Sequence, residues 1–281
     1  VQNGPVLYTT TMTELPLGKT TTIPERYAPD CLYPIARTDG RETIGLTGAL
    51  PFRGFDIWNA WELTWLGPGG LPHVAIAEIR VPVESPNIVE SKSMKLYLGS
   101  FAMSEFETAS AVRDAIAADI GACVGAAVDV EIDAVTVSAG RRSHRLPGKN
   151  LDRQQIECDS WDVDPAILSA DNDSYVSETL NTDLLRSLCP VTGQPDSGSV
   201  LITYEGPRID RAALLRYIVS YRQHQAFHEA CVERMYVDVL QRCKPVGLTV
   251  YARYQRRGGI DINPFRSNFE SIPQNLRLWR Q

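Results

Sequence analysis

The feature that most constrains the fold of this chain is an order of patterns that occurs twice: extended segments, then helical segments, then an extended segment again. In the first half, residues 56–66 alternate between apolar and polar side chains, which predicts a strand. We predict that one face of this strand carries Ile57, Trp61, Leu63 and Trp65. Gly67-Pro68-Gly69-Gly70 then breaks the chain and residues 74–83 resume extended structure, so the two segments predict an antiparallel hairpin.

A helix and a strand are predicted behind this hairpin. Ser104-Glu105-Phe106-Glu107 has the spacing of a capping box, whose hydroxyl and carboxylate satisfy free backbone N–H groups at a helix N-terminus. Apolar residues then recur at helical spacing from Val112 to Ile120. Val128, Val130 and Ile132 alternate with acidic residues, which is typical of a strand with one face in water.

The second half repeats this order, although the two halves share few residues. We predict its strands near residues 174–186, 198–206, 248–255 and 260–268, and its helices after Asp210 and over residues 226–243. Strands and helices that segregate in this way favour an α+β fold with antiparallel sheets. We therefore predict an N-terminal arm (residues 1–50), a first module (51–140) and a second module (141–281), with the boundary in the polar stretch 140–152.

Composition excludes several classes of protein. Lys and Arg total 28 against 34 Asp and Glu, so the formal net charge is −6. A net acidic surface repels phosphate backbones, and we therefore expect no nucleic-acid partner. No apolar run reaches the ~20 residues of a membrane span, and residues 1–19 contain no apolar signal segment, so we expect no membrane association.

The six cysteines and four histidines are scattered without the spacing of a metal site. No two cysteines form a C-x-x-C pair, and no H-E-x-x-H pattern is present. We therefore expect reduced thiols, a cytoplasmic location and no metal ion.

The loop from Leu188 to Asp196 holds a candidate nucleophile. Cys189 and Asp196 stand in a segment whose backbone is restricted by two prolines. A thiol and a carboxylate held in a stiff loop can converge on one substrate atom. Because a neighbouring anion raises the pKa of a thiol, Asp196 would serve as a proton acceptor and later a donor. The alternative is a buried structural cysteine and a turn aspartate.

His228 and Glu229 stand near the start of the longest predicted helix. His228 is in line with the apolar stripe of that helix, which consists of Val232, Met235 and Val239. Glu229 has no basic residue three or four positions away, so we expect it to accept hydrogen bonds from a guanine-like ligand edge. The alternatives are a core histidine bonded to a backbone carbonyl, and a salt bridge from Glu229 to a distant arginine.

Two further segments combine cations with turns or helix starts. Glu90-Ser91-Lys92-Ser93-Met94-Lys95 is predicted to open a helix, where the first residues either cap it or, with Lys92, bind a phosphate. Arg256-Arg257-Gly258-Gly259 predicts a tight turn, which is either a solvated hairpin tip or a site for the extra phosphate of a dinucleotide. Neither a G-x-G-x-x-G after a strand nor a Walker P-loop is present, which excludes the Rossmann and P-loop nucleotide domains.

In this combination and order, these motifs resemble the NADPH-dependent 7-cyano-7-deazaguanine reductases, the nitrile reductases of queuosine biosynthesis, in their long two-module form. The matching motifs are residues 90–95, 189–196, 227–229 and 257–264, and the resemblance extends from Leu17-Gly18-Lys19 and Leu50-Pro51-Phe52 to Arg280-Gln281. It implies the tunnelling fold (T-fold), an α+β architecture of two tandem modules whose antiparallel sheets are each backed by two helices.

The resemblance also implies roles for individual residues. Cys189 would attack the nitrile carbon to give a covalent thioimide, and Asp196 would protonate the nitrogen. The implied substrate-binding positions are Val89, Glu90, Ser91, His228 and Glu229, and the implied NADPH-contacting positions are Ser91, Lys92, Arg257 and Gly258. Reduction of a nitrile to an amine takes four electrons, so the resemblance implies two NADPH per turnover, no metal, and a homodimer.

Three other functions remain open at this point. A nitrilase-like or amidase-like cysteine hydrolase would use Cys189 as nucleophile and His228 as base, but would consume no NADPH. Another T-fold enzyme acting on a pterin or purine typically needs a metal, for which the sequence offers no clear ligand set. A ligand-binding module without catalysis would tolerate loss of Cys189.

Overall fold

The computed structural model of the chain describes residues 23–134, 143–271 and 273–281. The first 22 residues of the predicted arm, with Leu17-Gly18-Lys19, lie outside the described residues, as does the start of the predicted boundary at 140–142. The strands are β1 (Pro34–Ala36), β2 (Arg53–Leu66), β3 (Pro72–Pro82), β4 (Asn87–Val89), β5 (Asp129–Ala134), β6 (Lys149–Asn150), β7 (Ala170–Leu188), β8 (Pro195–Ile209), β9 (Gly247–Tyr254) and β10 (Ile260–Ser267). The helices are α1 (Arg37–Glu42), α2 (Ser91–Ser100), α3 (Ala109–Val124), α4 (Arg211–Ser220) and α5 (His228–Cys243).

Eight strands form one continuous sheet in the order β5-β3-β2-β10-β9-β8-β7-β6. All neighbours are antiparallel except β6 and β7, which pair in parallel over two residues. β10 pairs with β9 on one side and with β2 on the other, from Ile260 opposite Ala60 to Ser267 opposite Arg53. The last strand of the second half therefore joins the two halves into one sheet, and the predicted α+β class is confirmed.

Each half of the sheet is covered by its own pair of helices and has its own apolar core. In the first half, residues such as Met94 of α2 and Ile116 of α3 pack against Ile79 of β3. In the second half, residues such as Ile218 of α4 and Met235 of α5 are fully buried against β7, β8 and β9. Two modules, each backed by two helices, are thus what the structure shows. The apolar stripe predicted on the long helix is confirmed, because Val232, Met235 and Val239 are buried together.

The predicted face of β2 is wrong beyond its middle. The pairing of β2 with β3 shifts between Ala60 and Leu63, where β2 carries one residue more than its partner. Since side chains alternate along a strand, one extra residue moves every later side chain to the other face. Ile57 therefore packs on one side of the sheet, against Phe265, while Leu63 and Trp65 join the core on the helix side.

The predicted capping box is also replaced by a different cap. α3 begins at Ala109 and is capped by Thr108, whose hydroxyl accepts a hydrogen bond from the Ala111 N–H at 3.1 Å. Ser104 instead ends a short 3₁₀ turn, and its hydroxyl accepts from the Tyr27 N–H at 2.7 Å. In the second half the predicted cap is confirmed, because Asp210 accepts from the Ala213 N–H at 2.9 Å.

The arm residues that the structure describes bind both modules. Arg37 of α1 forms an ion pair with Asp56 of β2, and Arg41 donates to Glu233 of α5. Arg266 of β10 also pairs with Asp56 and with Glu233, so the arm, the two modules and the joining strand meet at one buried charge network. No helix in the described part of the chain is long and apolar enough to cross a membrane.

Candidate active site

A cavity of about 110 Å³ lies where the two modules meet. Its walls come from the end of β4, from α2, from the turn between β7 and β8, from the start of α5 and from the turn between β9 and β10. Seven of the ten residues that the sequence predicts as catalytic or binding residues line it: Val89, Ser91, Cys189, Asp196, His228, Glu229 and Arg257. Residues from distant parts of the chain thus converge on one site.

The turn that carries Cys189 is closed by its own backbone. The Cys189 N–H donates to the Gln194 carbonyl and the Gly193 N–H donates to the Cys189 carbonyl, each at 2.9 Å. Gly193 has φ of +66°, a left-handed conformation that glycine adopts without strain. The Leu188 N–H also donates to the His224 carbonyl at 2.8 Å, which fixes the turn against the segment between α4 and α5. The half-buried Cys189 thiol is therefore presented to the cavity from a stiff support.

Asp196 is buried at the start of β8 and has two partners. Its Oδ2 lies 3.3 Å from His228 Nε2, and its Oδ1 accepts a hydrogen bond from Arg257 Nη1. Burial works to raise the pKa of this carboxyl, but the hydrogen bonds and charges of His228 and Arg257 outweigh burial and hold its pKa below the usual value. Asp196 is therefore ionised, the state in which it can accept a proton.

The His228 ring stacks in parallel on the ring of Tyr254 of β9. The two rings are 3.7 Å apart between centroids with an interplanar angle of 5°. Because Nε2 is directed to Asp196, the other ring nitrogen, Nδ1, is left buried with no hydrogen-bond partner among the described residues. A buried nitrogen without a partner is costly, and a bound ligand would satisfy it.

Glu229 is buried beside the cavity, and no side chain that the structure describes donates a hydrogen bond or forms an ion pair with it. Burial, together with the negative charge of Asp56, raises the pKa of Glu229 to about 7, although His228 and Arg37 act in the opposite direction. The predicted alternative of a salt bridge is therefore not observed among these residues. A ligand that brings N–H donors would stabilise the ionised carboxylate.

Glu90 lies just outside the cavity and caps α2. Its two carboxylate oxygens accept from the backbone N–H groups of Lys92 and Ser93, each at 2.8 Å, and its side chain is fully buried. The next residue, Ser91, does line the cavity. Lys92 lies in the first turn of α2 but does not line the cavity.

Lys95 is a cavity residue that sequence reasoning missed as a site residue. It stands four residues after Ser91, so both side chains share one face of α2, and this spacing could have indicated it. Within the described residues no carboxylate pairs with its ammonium group. Burial and the positive charge of Arg257 lower the pKa of Lys95.

Gly258 allows the turn between β9 and β10 to lie against Lys95. It has φ of +62°, and a Cβ at this position would stand 3.1 Å from Lys95 Cδ. Gly258 itself does not line the cavity, but its neighbour Arg257 does. Two cations from different modules, Lys95 and Arg257, thus face the same space, which fits an anionic group such as a cofactor phosphate.

Several other cavity residues were not predicted as site residues. They are Pro190, Thr192, Gln194, Ala226, Phe227, Gln255, Ile260, Asp261 and Ile262. Gln194 accepts a hydrogen bond from Arg257 Nη2 and so helps to place that guanidinium. No group of three or more His, Cys, Asp or Glu side chains in the described ranges is arranged to hold a metal ion.

The fold and the cavity define a class of protein: a two-module α+β protein with a thiol, a carboxylate, an imidazole and two cations at the junction of its modules. Sequence comparison specifies the family within that class. A family profile described as the N-terminal region of the nitrile reductase 7-cyano-7-deazaguanine reductase matches residues 23–132, and a profile described as QueF-like protein matches residues 195–272.

Curated relatives match nearly the whole chain. The NADPH-dependent 7-cyano-7-deazaguanine reductases of Burkholderia cenocepacia and Burkholderia multivorans are each 55% identical to it, over 95% of this chain and 98% of the relative. The protein of the same name from Burkholderia thailandensis is also 55% identical, with the same coverage. The chain therefore belongs to the family of the 7-cyano-7-deazaguanine nitrile reductases.

Proposed function

We propose that this protein reduces the nitrile of 7-cyano-7-deazaguanine to the aminomethyl group of 7-aminomethyl-7-deazaguanine, with NADPH as the reductant. Its relatives carry the name of this activity. The observation that carries the proposal is the convergence of Cys189, Asp196 and His228 on one cavity that the two cations Lys95 and Arg257 also face. A nucleophile, a proton carrier and an anion site are the three parts that this reaction needs.

Cys189 and Asp196 account for the covalent step. The ionised Asp196 carboxylate takes the proton of the Cys189 thiol, and the sulfur attacks the nitrile carbon. Asp196 then returns the proton to the nitrile nitrogen, so that the S–H bond and one π bond of the nitrile are broken, an S–C and an N–H bond are formed, and a C=N double bond remains. The product is a thioimide, and no electrons have been exchanged up to this point. Covalent capture divides one difficult reduction into easier steps.

Five residues are proposed to bind and orient the substrate: Val89, Glu90, Ser91, His228 and Glu229. Glu229 accepts hydrogen bonds from the N–H groups of the pyrimidine edge, which gives its buried carboxylate partners beyond the backbone hydrogen bond that it already has. Nδ1 of His228 is a second polar contact within the cavity. Glu90 acts from behind, because its carboxylate fixes the N-terminus of α2 and thereby the position of Ser91.

The cations and the start of α2 are proposed to hold NADPH, which supplies hydride when bound. Ser91, Lys92, Arg257 and Gly258 are the proposed contacts. Lys95 belongs with them because it lines the same cavity as Ser91 and Arg257. Arg257 is suited to a phosphate because its guanidinium presents paired donors. Two NADPH molecules are needed in turn for each nitrile.

We also propose the division of the chain into an arm (1–50) and two modules (51–140 and 141–281), which the two helix-covered cores support.

A homodimer is supported by the long sheet, since the outer edge of β5 is paired with no other strand of the described residues. Light scattering tests this directly, because a dimer has twice the 31.2 kDa mass of one chain.

A cytoplasmic location is supported by the six free thiols.

The proposed function is tested by following NADPH absorbance after mixing the protein with 7-cyano-7-deazaguanine. We expect loss of two NADPH per nitrile, and no loss with the Cys189→Ala variant. Release of ammonia without loss of NADPH would instead establish a cysteine hydrolase. If neither reaction occurs although the substrate binds, the protein is a binding module.

A further inference from the structure

Arg257 occupies an unexpected position for a residue proposed to hold a cofactor. Its guanidinium donates from Nη1 to Asp196 and from Nη2 to Gln194. Asp196 is the residue proposed to move the proton of the covalent step, so the two halves of the proposed reaction share one ion pair. This sharing links cofactor binding to proton transfer.

We propose that Arg257 controls the basicity of Asp196, and that a phosphate of the cofactor relieves this control by drawing the guanidinium away from the carboxylate. Arg257 is in this respect a positioning residue that acts through Asp196. The inference rests on the proposed function, because it assigns Asp196 the proton transfer that forms the thioimide.

Of the two partners, Arg257 is the one that can move. Asp196 is part of β8, where it pairs with Ser187 of β7, and its side chain is 8% exposed. Arg257 lies in the turn between β9 and β10, just before Gly258 and Gly259, and its side chain is 34% exposed. A long, one-third exposed side chain changes its conformation more readily than a buried carboxylate on a paired strand, although the turn backbone is held by hydrogen bonds between Arg257 and Ile260.

A phosphate has reason to compete for this guanidinium. Lys95 faces the same cavity and has no ion-pair partner in the described part of the chain. An anion that enters between Lys95 and Arg257 therefore meets two cations, whereas Asp196 offers Arg257 a single carboxylate oxygen. Phosphate also accepts the paired donors of an arginine at two charged oxygens, whereas Arg257 now bonds one carboxylate oxygen of Asp196 and the neutral amide oxygen of Gln194.

The charged groups around Asp196 determine how its basicity would change if Arg257 moved away. Six titratable or charged side chains surround Asp196 and interact electrostatically with it or with its neighbours. They are His228 and Cys231 of α5, Arg257 of the turn, Lys95 of α2, Cys189 and Tyr254. Among the side chains that the structure describes, only those of His228 and Arg257 contact its oxygens. If Arg257 leaves, His228 alone stabilises the carboxylate, and Asp196 becomes a better acceptor for the Cys189 proton.

The test uses thioimide formation alone, because that step is neither an oxidation nor a reduction and therefore needs no hydride. Wild type and variants are mixed with 7-cyano-7-deazaguanine between pH 2.5 and pH 8, a range that reaches below the usual pKa of an aspartate because the pKa of Asp196 is lowered. The reactions are quenched in acid and the intact protein masses are measured by mass spectrometry. The variants are Arg257→Met, which removes the charge and keeps the length, and Arg256→Met as the matched control. Arg256 is the neighbouring arginine, paired with Glu62 at the surface. NADP+ is added in a second series, since it carries the phosphates but has no hydride to give.

We expect the acid limb of adduct formation to move up by about one pH unit or more in Arg257→Met, the shift produced by loss of one adjacent opposite charge. Arg256→Met should follow wild type. NADP+ should shift the wild-type limb in the same direction and leave Arg257→Met unchanged, while NAD+, which lacks the extra phosphate, should shift it less. The wild-type series with NADP+ needs no variant, so the test does not depend on Arg257→Met folding.

Two results would overturn the inference while leaving the proposed function in place. One is an adduct whose pH dependence is the same in wild type and Arg257→Met, and the other is a wild-type profile that NADP+ does not move. Absence of any adduct in wild type at every pH would instead overturn the proposed function itself.

Discussion

Glu229 and Glu233 are buried on successive turns of α5, but only Glu233 is paired. Glu233 accepts hydrogen bonds from Arg41 and Arg266, whereas no side chain in the described ranges donates to Glu229. Burial works to raise the pKa of both carboxyls. The arginines around Glu233 outweigh burial and lower its pKa, while the pKa of Glu229 is raised to about 7. One carboxylate therefore stabilises the fold, and the other is left for a ligand.

We predict that Glu233→Gln destabilises the protein by about 3–5 kcal/mol, because it leaves Arg41 and the fully buried Arg266 without their shared counter-charge. Urea unfolding of the variant measures this loss. Glu229→Gln is the matched control on the preceding turn, and it should not lose stability. Equal losses in both variants would contradict the assignment of a structural role to Glu233 alone.

We predict that Glu229 lowers the stability of the free protein as the pH rises. Its pKa is higher in the folded chain than in the unfolded chain, so between about pH 4.5 and pH 7 the folded state binds more protons. Stability therefore falls across this interval, by up to ~1.4 kcal/mol per pH unit from this group. Urea unfolding at pH 5 and pH 8 should show a smaller fall for Glu229→Gln than for wild type. An identical fall in both proteins would show that Glu229 does not titrate in this range.

We predict that Glu229 binds the substrate's N–H groups. In a Cys189→Ala background, which prevents the covalent step, Glu229→Leu should weaken binding of 7-cyano-7-deazaguanine by about 1–3 kcal/mol, because the ligand donors lose their acceptor. Titration calorimetry measures the difference. Unchanged affinity would refute this role for Glu229 without affecting that of Cys189.

Much of the fold is predictable from the sequence because it depends on local patterns. The apolar stripe Val232–Met235–Val239 and the Asp210 cap are contacts within one element, and both are confirmed. The face of β2 is different, since it depends on a bulge between Ala60 and Leu63 that only the pairing with β3 reveals. A local pattern also cannot choose between two hydroxyl residues near a helix start, and Thr108 rather than Ser104 caps α3.

The site divides in the same way. The sequence singles out Cys189, Asp196 and His228, and the structure places all three at one cavity. It does not reveal that Asp196 is bonded to Arg257, because Asp196 lies on β8 and Arg257 in the turn between β9 and β10, and the two meet only when the sheet forms. Lys95 escapes notice for a related reason, since its significance comes from facing Arg257 across the module boundary. Glu90 differs in the opposite way, because it is predicted to bind the substrate, whereas its carboxylate caps the N-terminus of α2 directly behind the site.

We predict that Cys189 is the only cysteine needed for the adduct. Cys189→Ser should yield no covalent adduct with 7-cyano-7-deazaguanine by intact mass, because an alcohol is a far weaker nucleophile than a thiol. Cys158→Ser is the matched control, since Cys158 is also a half-buried free thiol but lies outside the cavity. It should form the adduct as wild type does. An adduct that persists in Cys189→Ser would refute the assignment of Cys189 as the nucleophile.

We predict that Arg257 distinguishes NADPH from NADH. If its guanidinium binds the extra phosphate of NADPH, Arg257→Ala should weaken NADPH more than NADH, because only one of the two ligands loses a charge-assisted contact. Arg256→Ala serves as the control, since Arg256 is paired with Glu62 and does not line the cavity. Fluorescence titration with each cofactor, repeated at higher salt, measures the ratio of the two affinities. The affinity ratio of wild type should approach that of Arg257→Ala as salt screens the phosphate contact. Equal weakening of both cofactors would place Arg257 elsewhere on the dinucleotide, and it would also remove the phosphate as the group that draws Arg257 from Asp196.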